Sequence, residues 1–176
     1  MESITRFITH RLKLQVNQAK SAVARPGPRK FLGCSFTSER KPRRRIAPKA
    51  IVRFKGRIRE QTYRTRGLSL TQMVKEIATY LRGWLGYFGD GQTPSVLQSL
   101  ESWLRRRRRS VVWKQWKRGR KRFRELRQRG VGKDLAAQTA GSPHGPWRIA
   151  NSPALSIAFP IAHFAELGLP PMVVRS

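Results

Sequence analysis

Residues 104–130 read LRRRRRSVVWKQWKRGRKRFRELRQRG, and fourteen of them are Lys or Arg against a single acid, Glu125. Such a run can neutralise a polyanion: Lys and Arg hold phosphates and displace their counterions without reading base sequence. A face that is charged only to stay solvated usually mixes both signs. Two groups of candidate phosphate contacts follow. One is Arg105, Arg106, Arg107, Arg108 and Arg109; the other is Lys114, Lys117, Arg118, Arg120, Lys121 and Arg122. A third, Arg43, Arg44 and Arg45, stands in KPRRRIAP at 41–48 and is expected to be exposed on almost any fold. Specificity would have to come from shape, from arginine stacking or from unpaired bases laid on aromatic rings. Tyr63, at the basic end of a helical segment, is a candidate for such stacking. Trp116, set among charges, is balanced between packing and stacking.

Other chemistries are poorly supplied. The nine carboxylates are Glu2, Glu39, Glu60, Glu76, Asp90, Glu101, Glu125, Asp134 and Glu166, and no two lie close in sequence. A two-metal polymerase or nuclease site needs them clustered. The chain has no GxxxxGK[ST] phosphate loop and no GxSxG elbow. His10, His144 and His163 show no metal-ligand spacing, and Cys34 is the only cysteine. Cys34, in FLGCSF, is expected to be a buried, inert thiol. The expectation is no catalytic residue, no metal site and no cofactor.

The elements that must carry these cations belong to a chain of 176 residues with a formal net charge of +29 and 39% apolar residues. A compact body with that charge repels itself and calls for a polyanionic partner. Nucleic acid comes first, an anionic membrane surface second. No stretch approaches the roughly 18 apolar residues of a spanning helix, and the N-terminus lacks a signal-peptide pattern. The expected location is the cytoplasm, with no membrane partner.

Ile4, Phe7, Ile8 and Leu12 recur at helical spacing over 2–12. Lys13–Val16 alternates like a short strand, and ARPGPR at 24–29 reads as a turn. Lys30–Phe36 reads as a strand able to pair with 41–48 through a SERKP loop. Pro48 suits the first position of a helix that carries Ile51, Phe54, Ile58 and Thr62. Gly67 ends that segment. Ser69 caps a second helix with a broad stripe from Leu70 to Phe88. Thr93 is placed to cap a third, whose apolar positions Val96, Leu97, Leu100, Trp103, Leu104 and Val111 run into the basic stretch. The cationic run is thus the second half of a long helix, with Gly119 a kink or stop before Phe123 and Leu126. Trp84, Trp103 and Trp113 fall on or beside the stripes and are expected in the core. Short helices follow at 133–140, 152–158 and 161–167, with Trp147 anchoring the turn-rich GPWRI.

In order along the chain stand KLQVNQAKS (13–21), KFLG (30–33), IAPKAIVRFKGRIRE (46–60), YLRGWLGYFG (80–89), WKQWKRGRKRFREL (113–126), GPWRIANSP (145–153) and AHFAELGLP (162–170). This set resembles the C-terminal part of group II intron-encoded reverse transcriptases, also called maturases. The resemblance implies a mainly α fold in three parts. Residues 1–47 would be a helix and hairpin remnant of the polymerase palm, 48–130 a three-helix thumb that binds intron RNA, and 131–176 a short helical extension. It implies that Phe31, Leu32 and Gly33 form a primer-grip strand, and that Lys20 lies near the incoming nucleotide. The family's catalytic Tyr-x-Asp-Asp does not occur in this chain. The chain therefore looks like a C-terminal fragment, from a truncated frame, an internal start or a split gene. Three readings follow: the intron-RNA-binding maturase portion of such a protein; one part of a reverse transcriptase completed, with Mg2+, by an upstream half; or a non-specific basic RNA binder. The oligomeric state is left open.

Overall fold

The computed structural model describes residues 2–21, 23, 32–63, 67–89 and 94–173. The turn expected at 24–29, Lys30, Phe31 and the expected cap Thr93 lie outside them. The chain begins with α1 (Glu2–Arg11), which buries none of its residues and leaves Ile4 and Phe7 exposed. Lys13–Val16 is irregular rather than a strand. Lys13 takes a positive φ of 54°, which breaks an extended path, and no described strand pairs with the segment.

Strands β1 (Cys34–Phe36) and β2 (Arg44–Ile46) form an antiparallel hairpin in which Cys34 faces Ile46 and Phe36 faces Arg44. The first strand is shorter than expected because Leu32 and Gly33 adopt φ of 49° and 78°. Cys34 is half-buried rather than buried.

From Pro48 the fold is helical: α2 (Pro48–Gln61), α3 (Leu70–Phe88), α4 (Pro94–Gln115) and α5 (Gly119–Gln128). Pro48 occupies the first turn of α2, where its missing N–H costs nothing. Ser69 caps α3 in a full capping box with Gln72, which satisfies two otherwise orphaned donors. The chain then folds through α6 (Lys133–Ala140), α7 (Pro146–Ile149), α8 (Pro153–Ala158) and α9 (Ile161–Glu166). The mainly α architecture with one small hairpin agrees with the pattern of the sequence.

The hairpin is docked on the end of α3. The Tyr87 hydroxyl donates to the Leu32 carbonyl at 2.7 Å. A Cβ on Gly33 would come within 3.1 Å of the Phe88 ring, and its φ already favours glycine.

Two apolar cores are present. The first joins Ile46 with Phe54 and Ile58 of α2, Met73, Ile77, Leu81 and Trp84 of α3, and Leu97, Leu100 and Leu104 of α4. The second joins Val112, Trp113 and Trp116 to Leu126, Ile149, Leu155, Phe159 and Phe164. Full burial of side chains this large contributes roughly 1.5–3 kcal/mol each. Helix α4 serves both cores: Leu97, Leu100, Leu104 and Val111 belong to the first, Val112 and Trp113 to the second. Residues beyond Gly130 thus share a core with α4 and α5. Trp84 and Trp113 are buried, Trp103 is half-buried, and Trp116, 5% exposed, is a packing residue.

Candidate nucleic-acid interface

The position of α4 between two cores decides what its arginines do. Arg105–Arg109 covers more than one full helical turn, so part of the run must point at each neighbour. Arg109 is 8% exposed. Its Nε and Nη2 donate to the Phe159 carbonyl at 3.2 and 2.9 Å, and its Nη1 donates to Ser156 Oγ at 3.0 Å. Phe159 ends α8, so Arg109 satisfies a carbonyl that the helix leaves without an internal partner. Arg108 is 3% exposed, with its guanidinium 4.0 Å from the centre of the Phe164 ring. Its Nε and Nη1 are buried without a hydrogen-bond partner. Burial, followed by the neighbouring charges of Arg105 and Arg109, pulls its pKa down to about 9. It is still charged at neutral pH.

The other three are also engaged. Arg107 donates from Nε to Thr62 Oγ1 at 2.9 Å. Arg106 stacks on the Trp147 ring at 4.4 Å and donates to the Trp147 carbonyl at 2.9 Å. Arg105 lies 4.0 Å from Glu101. The expectation that this run forms a phosphate-facing group is therefore corrected for Arg108 and Arg109, whose guanidinium groups are spent inside the protein. Arg105, Arg106 and Arg107 are half-buried. The physical reason is the planar guanidinium, which stacks on rings and forks onto carbonyls and so tolerates partial burial better than an ammonium.

The second group behaves differently. Lys114, Lys117, Arg118, Arg120 and Lys121 are all exposed. Arg122 is the exception: it is half-buried, stacked on Trp113 at 4.6 Å, and donates to the Trp116 carbonyl at 2.8 Å. Glu125, the one acid here, is held by Arg129 at 2.6 Å. The exposed cations at the end of α4 and along α5 therefore face solvent with no acid among them.

On the hairpin, Arg43 and Arg45 are exposed, but Arg44 is half-buried in the strand. Arg43 pairs with Glu39 at 3.3 Å and Arg45 donates to Ser35 Oγ at 3.1 Å. Leu32 is exposed beside half-buried Gly33, and Phe31 lies outside the described residues. Lys20 is exposed, its backbone N–H donating to the Asn17 carbonyl at 3.1 Å.

Several cations escaped the reading of the sequence. Arg124 and Arg127 are exposed on α5, and Lys49, Arg53, Arg57 and Arg59 on α2. The signal was available on α5: Arg120, Arg124 and Arg127 stand four and three apart, on one helical face. On α2 the cations alternate with Phe54 and Ile58, which marks the polar side of an amphipathic helix.

No helix among the described residues is long and apolar enough to cross a membrane. No curated protein matches the chain. Residues 51–130, from the first turns of α2 through the turn after α5, match the family described as group II intron, maturase-specific domain. That match covers most of the first core and the exposed cationic surface of α5, and it supports a maturase role related to group II intron splicing. Residues 51–130 of this chain thus match a group II intron maturase-specific domain, in line with the resemblance that its ordered motifs carry.

Proposed function

We propose that the chain binds group II intron RNA and favours its folded, splicing-competent form. The observation that carries this reading is the exposed cationic surface of Lys114, Lys117, Arg118, Arg120, Lys121, Arg124 and Arg127. It is seated on α4 and α5, whose other faces are fixed in the second core. A rigid array of cations binds best where phosphates are already gathered by tertiary folding. A ligand with higher affinity for the folded RNA shifts the RNA's equilibrium toward it. Lysines and arginines bound to phosphate supply affinity and orientation, so discrimination between RNAs rests on the shape of the phosphate array.

The test is a binding titration of the whole chain against group II intron RNA and a length-matched unrelated RNA over a range of salt concentrations. Each phosphate contact to a single strand contributes a slope of roughly −0.7 in log K against log salt. Preference for the intron RNA that persists at high salt supports the reading. Equal affinities that collapse together with salt would reduce the surface to a non-specific polyanion binder.

A further inference from the structure

The reading above uses the outer surface of α5 and leaves a cleft between α2 and α4 without a role. This cleft has a volume of about 340 Å³ and is lined by Thr62, Tyr63, Arg107, Ser110, Val111 and Lys114. Pockets for small ligands begin at roughly 300 Å³, so it is large enough for one nucleotide and far too small for a helix of RNA. Its lining contains no carboxylate among the described residues.

The three working side chains are arranged for two different chemistries. Tyr63 stands just beyond the end of α2 and is 60% exposed, although tyrosine carries a large apolar ring. Lys114 is exposed at the last turn of α4. Arg107 lines the same cleft, and its position is fixed: its Nε donates to Thr62 Oγ1, which in turn donates to the Ile58 carbonyl at 2.6 Å. The Thr62 backbone N–H also bonds to Ile58. This chain of bonds fixes the guanidinium, while its two terminal nitrogens make no hydrogen bond among the described residues. Burial, then the charge of Arg59, lowers the pKa of Arg107. A partly desolvated cation gains more from an anion than one in bulk water does. Ser110 Oγ donates to the Arg107 carbonyl at 2.6 Å. A flat ring, a fixed fork of donors and an ammonium, with no acid to repel an anion, fit one ligand chemistry: an aromatic base joined to a phosphate.

We infer that the α2–α4 cleft holds a single unpaired nucleotide of the bound RNA, its base stacked on Tyr63 and its phosphate between Arg107 and Lys114. The inference rests on the RNA-binding reading and deepens it. The phosphate surface of α5 would set affinity and this cleft would register a bulged or looped-out nucleotide, the kind of feature that proteins read in RNA.

The test uses the whole chain and a hairpin RNA carrying one bulged 2-aminopurine, with a fully paired hairpin of equal length as control. Binding of the bulged RNA should change the 2-aminopurine fluorescence. Tyr63→Ala should abolish that change and weaken the bulged RNA by about 5- to 150-fold, the range for one base stacked on an aromatic side chain. Its affinity for the paired control should stay the same. Tyr63→Phe should behave as the parent, and Lys114→Ala should flatten the salt slope for the bulged RNA by about 0.7. If Tyr63→Ala binds both RNAs as the parent does, or loses both equally, the cleft assignment falls while the RNA-binding reading stands. If the parent protein binds neither RNA, the cleft assignment falls, and the intron-RNA titration above decides the RNA-binding reading. A fluorescence response of equal size from the free 2-aminopurine ribonucleoside monophosphate would overturn the placement of this nucleotide within an RNA strand.

Discussion

Arg105–Arg109 and the cations from Lys114 to Arg124 lie within twenty residues of each other and look alike in the sequence, yet the tertiary structure treats them oppositely. The first group bonds to Phe159, Ser156, Thr62 and Trp147, stacks on aromatic rings or, for Arg105, pairs with Glu101. The second faces solvent, Arg122 excepted. The difference lies in the apolar neighbours and in the cation used. The first group contains arginine alone and sits where α4 passes from one core to the other. All three lysines of the stretch, at 114, 117 and 121, are exposed. A strongly hydrated ammonium resists burial, whereas a guanidinium can lie flat on a ring. Positive charge density is therefore a poor guide to an interface, and the type of cation and the side chains around it are better ones.

The largest expected effect belongs to the second core, whose Phe159 and Phe164 meet Arg109 and Arg108 and whose Trp113 meets Arg122. Trp113 is fully buried, with Arg122 stacked on it. Trp113→Ala should cost about 3–5 kcal/mol, read by urea unfolding, and should release Arg122 as well. An effect below 1 kcal/mol would break the comparison, because the second core would then not be what holds α5.

Arg109→Ala should follow. It removes three hydrogen bonds and leaves the buried Phe159 carbonyl unsatisfied, a loss of about 2–4 kcal/mol. Its salt slope for RNA should match the parent's. A flatter slope with intact stability would mean that Arg109 touches phosphate after all.

Arg108 sharpens the contrast in the other direction, since it is buried with two nitrogens unpartnered. Arg108→Met should leave stability unchanged or raise it by up to about 4 kcal/mol. The sign of its pH dependence is fixed by the lowered pKa. With a folded value of about 9, well below the ordinary arginine range, the unfolded chain binds more protons above that value, so this group makes stability rise with pH there. The gap between Arg108→Met and the parent should be constant below about pH 9 and narrow above it. A gap that widens above pH 9 would contradict the burial of the charge.

The smallest effect on stability, and the one that matters for binding, should come from Lys117, Arg118, Arg120 and Lys121 replaced together by Ala. Exposed positions of this kind change stability by about 0.5 kcal/mol or less each. The salt slope for intron RNA should become flatter by about 3 if all four meet phosphates of a single strand. Unchanged affinity would move the interface away from α5.

Much of this was legible. Pro48, the capping box at Ser69, the stripe from Leu70 to Phe88 and its continuation into 104–113 carry local signals that do not depend on distant partners. The helices at 133–140, 153–158 and 161–166 follow from the same kind of signal. The extended reading of 13–16 failed, because alternation cannot make a strand where the backbone turns to positive φ and no described strand pairs with it. Trp116 looked balanced between two roles because its sequence neighbours are charged; its spatial neighbours are Trp113 and Phe159.

By itself, the sequence determined that the chain is basic, mainly helical and built on a long helix that changes from apolar to cationic along its length. Those properties come from charge, periodicity and caps, all of them local. Only the tertiary structure decided which cations remain outside. That choice depends on α8 and α9, some fifty residues further along, which fold back and offer a bare carbonyl at Phe159 and a ring at Phe164. Helical spacing tells which residues share a face, but what covers that face is settled by long-range packing, and the energy of a charge depends on what covers it.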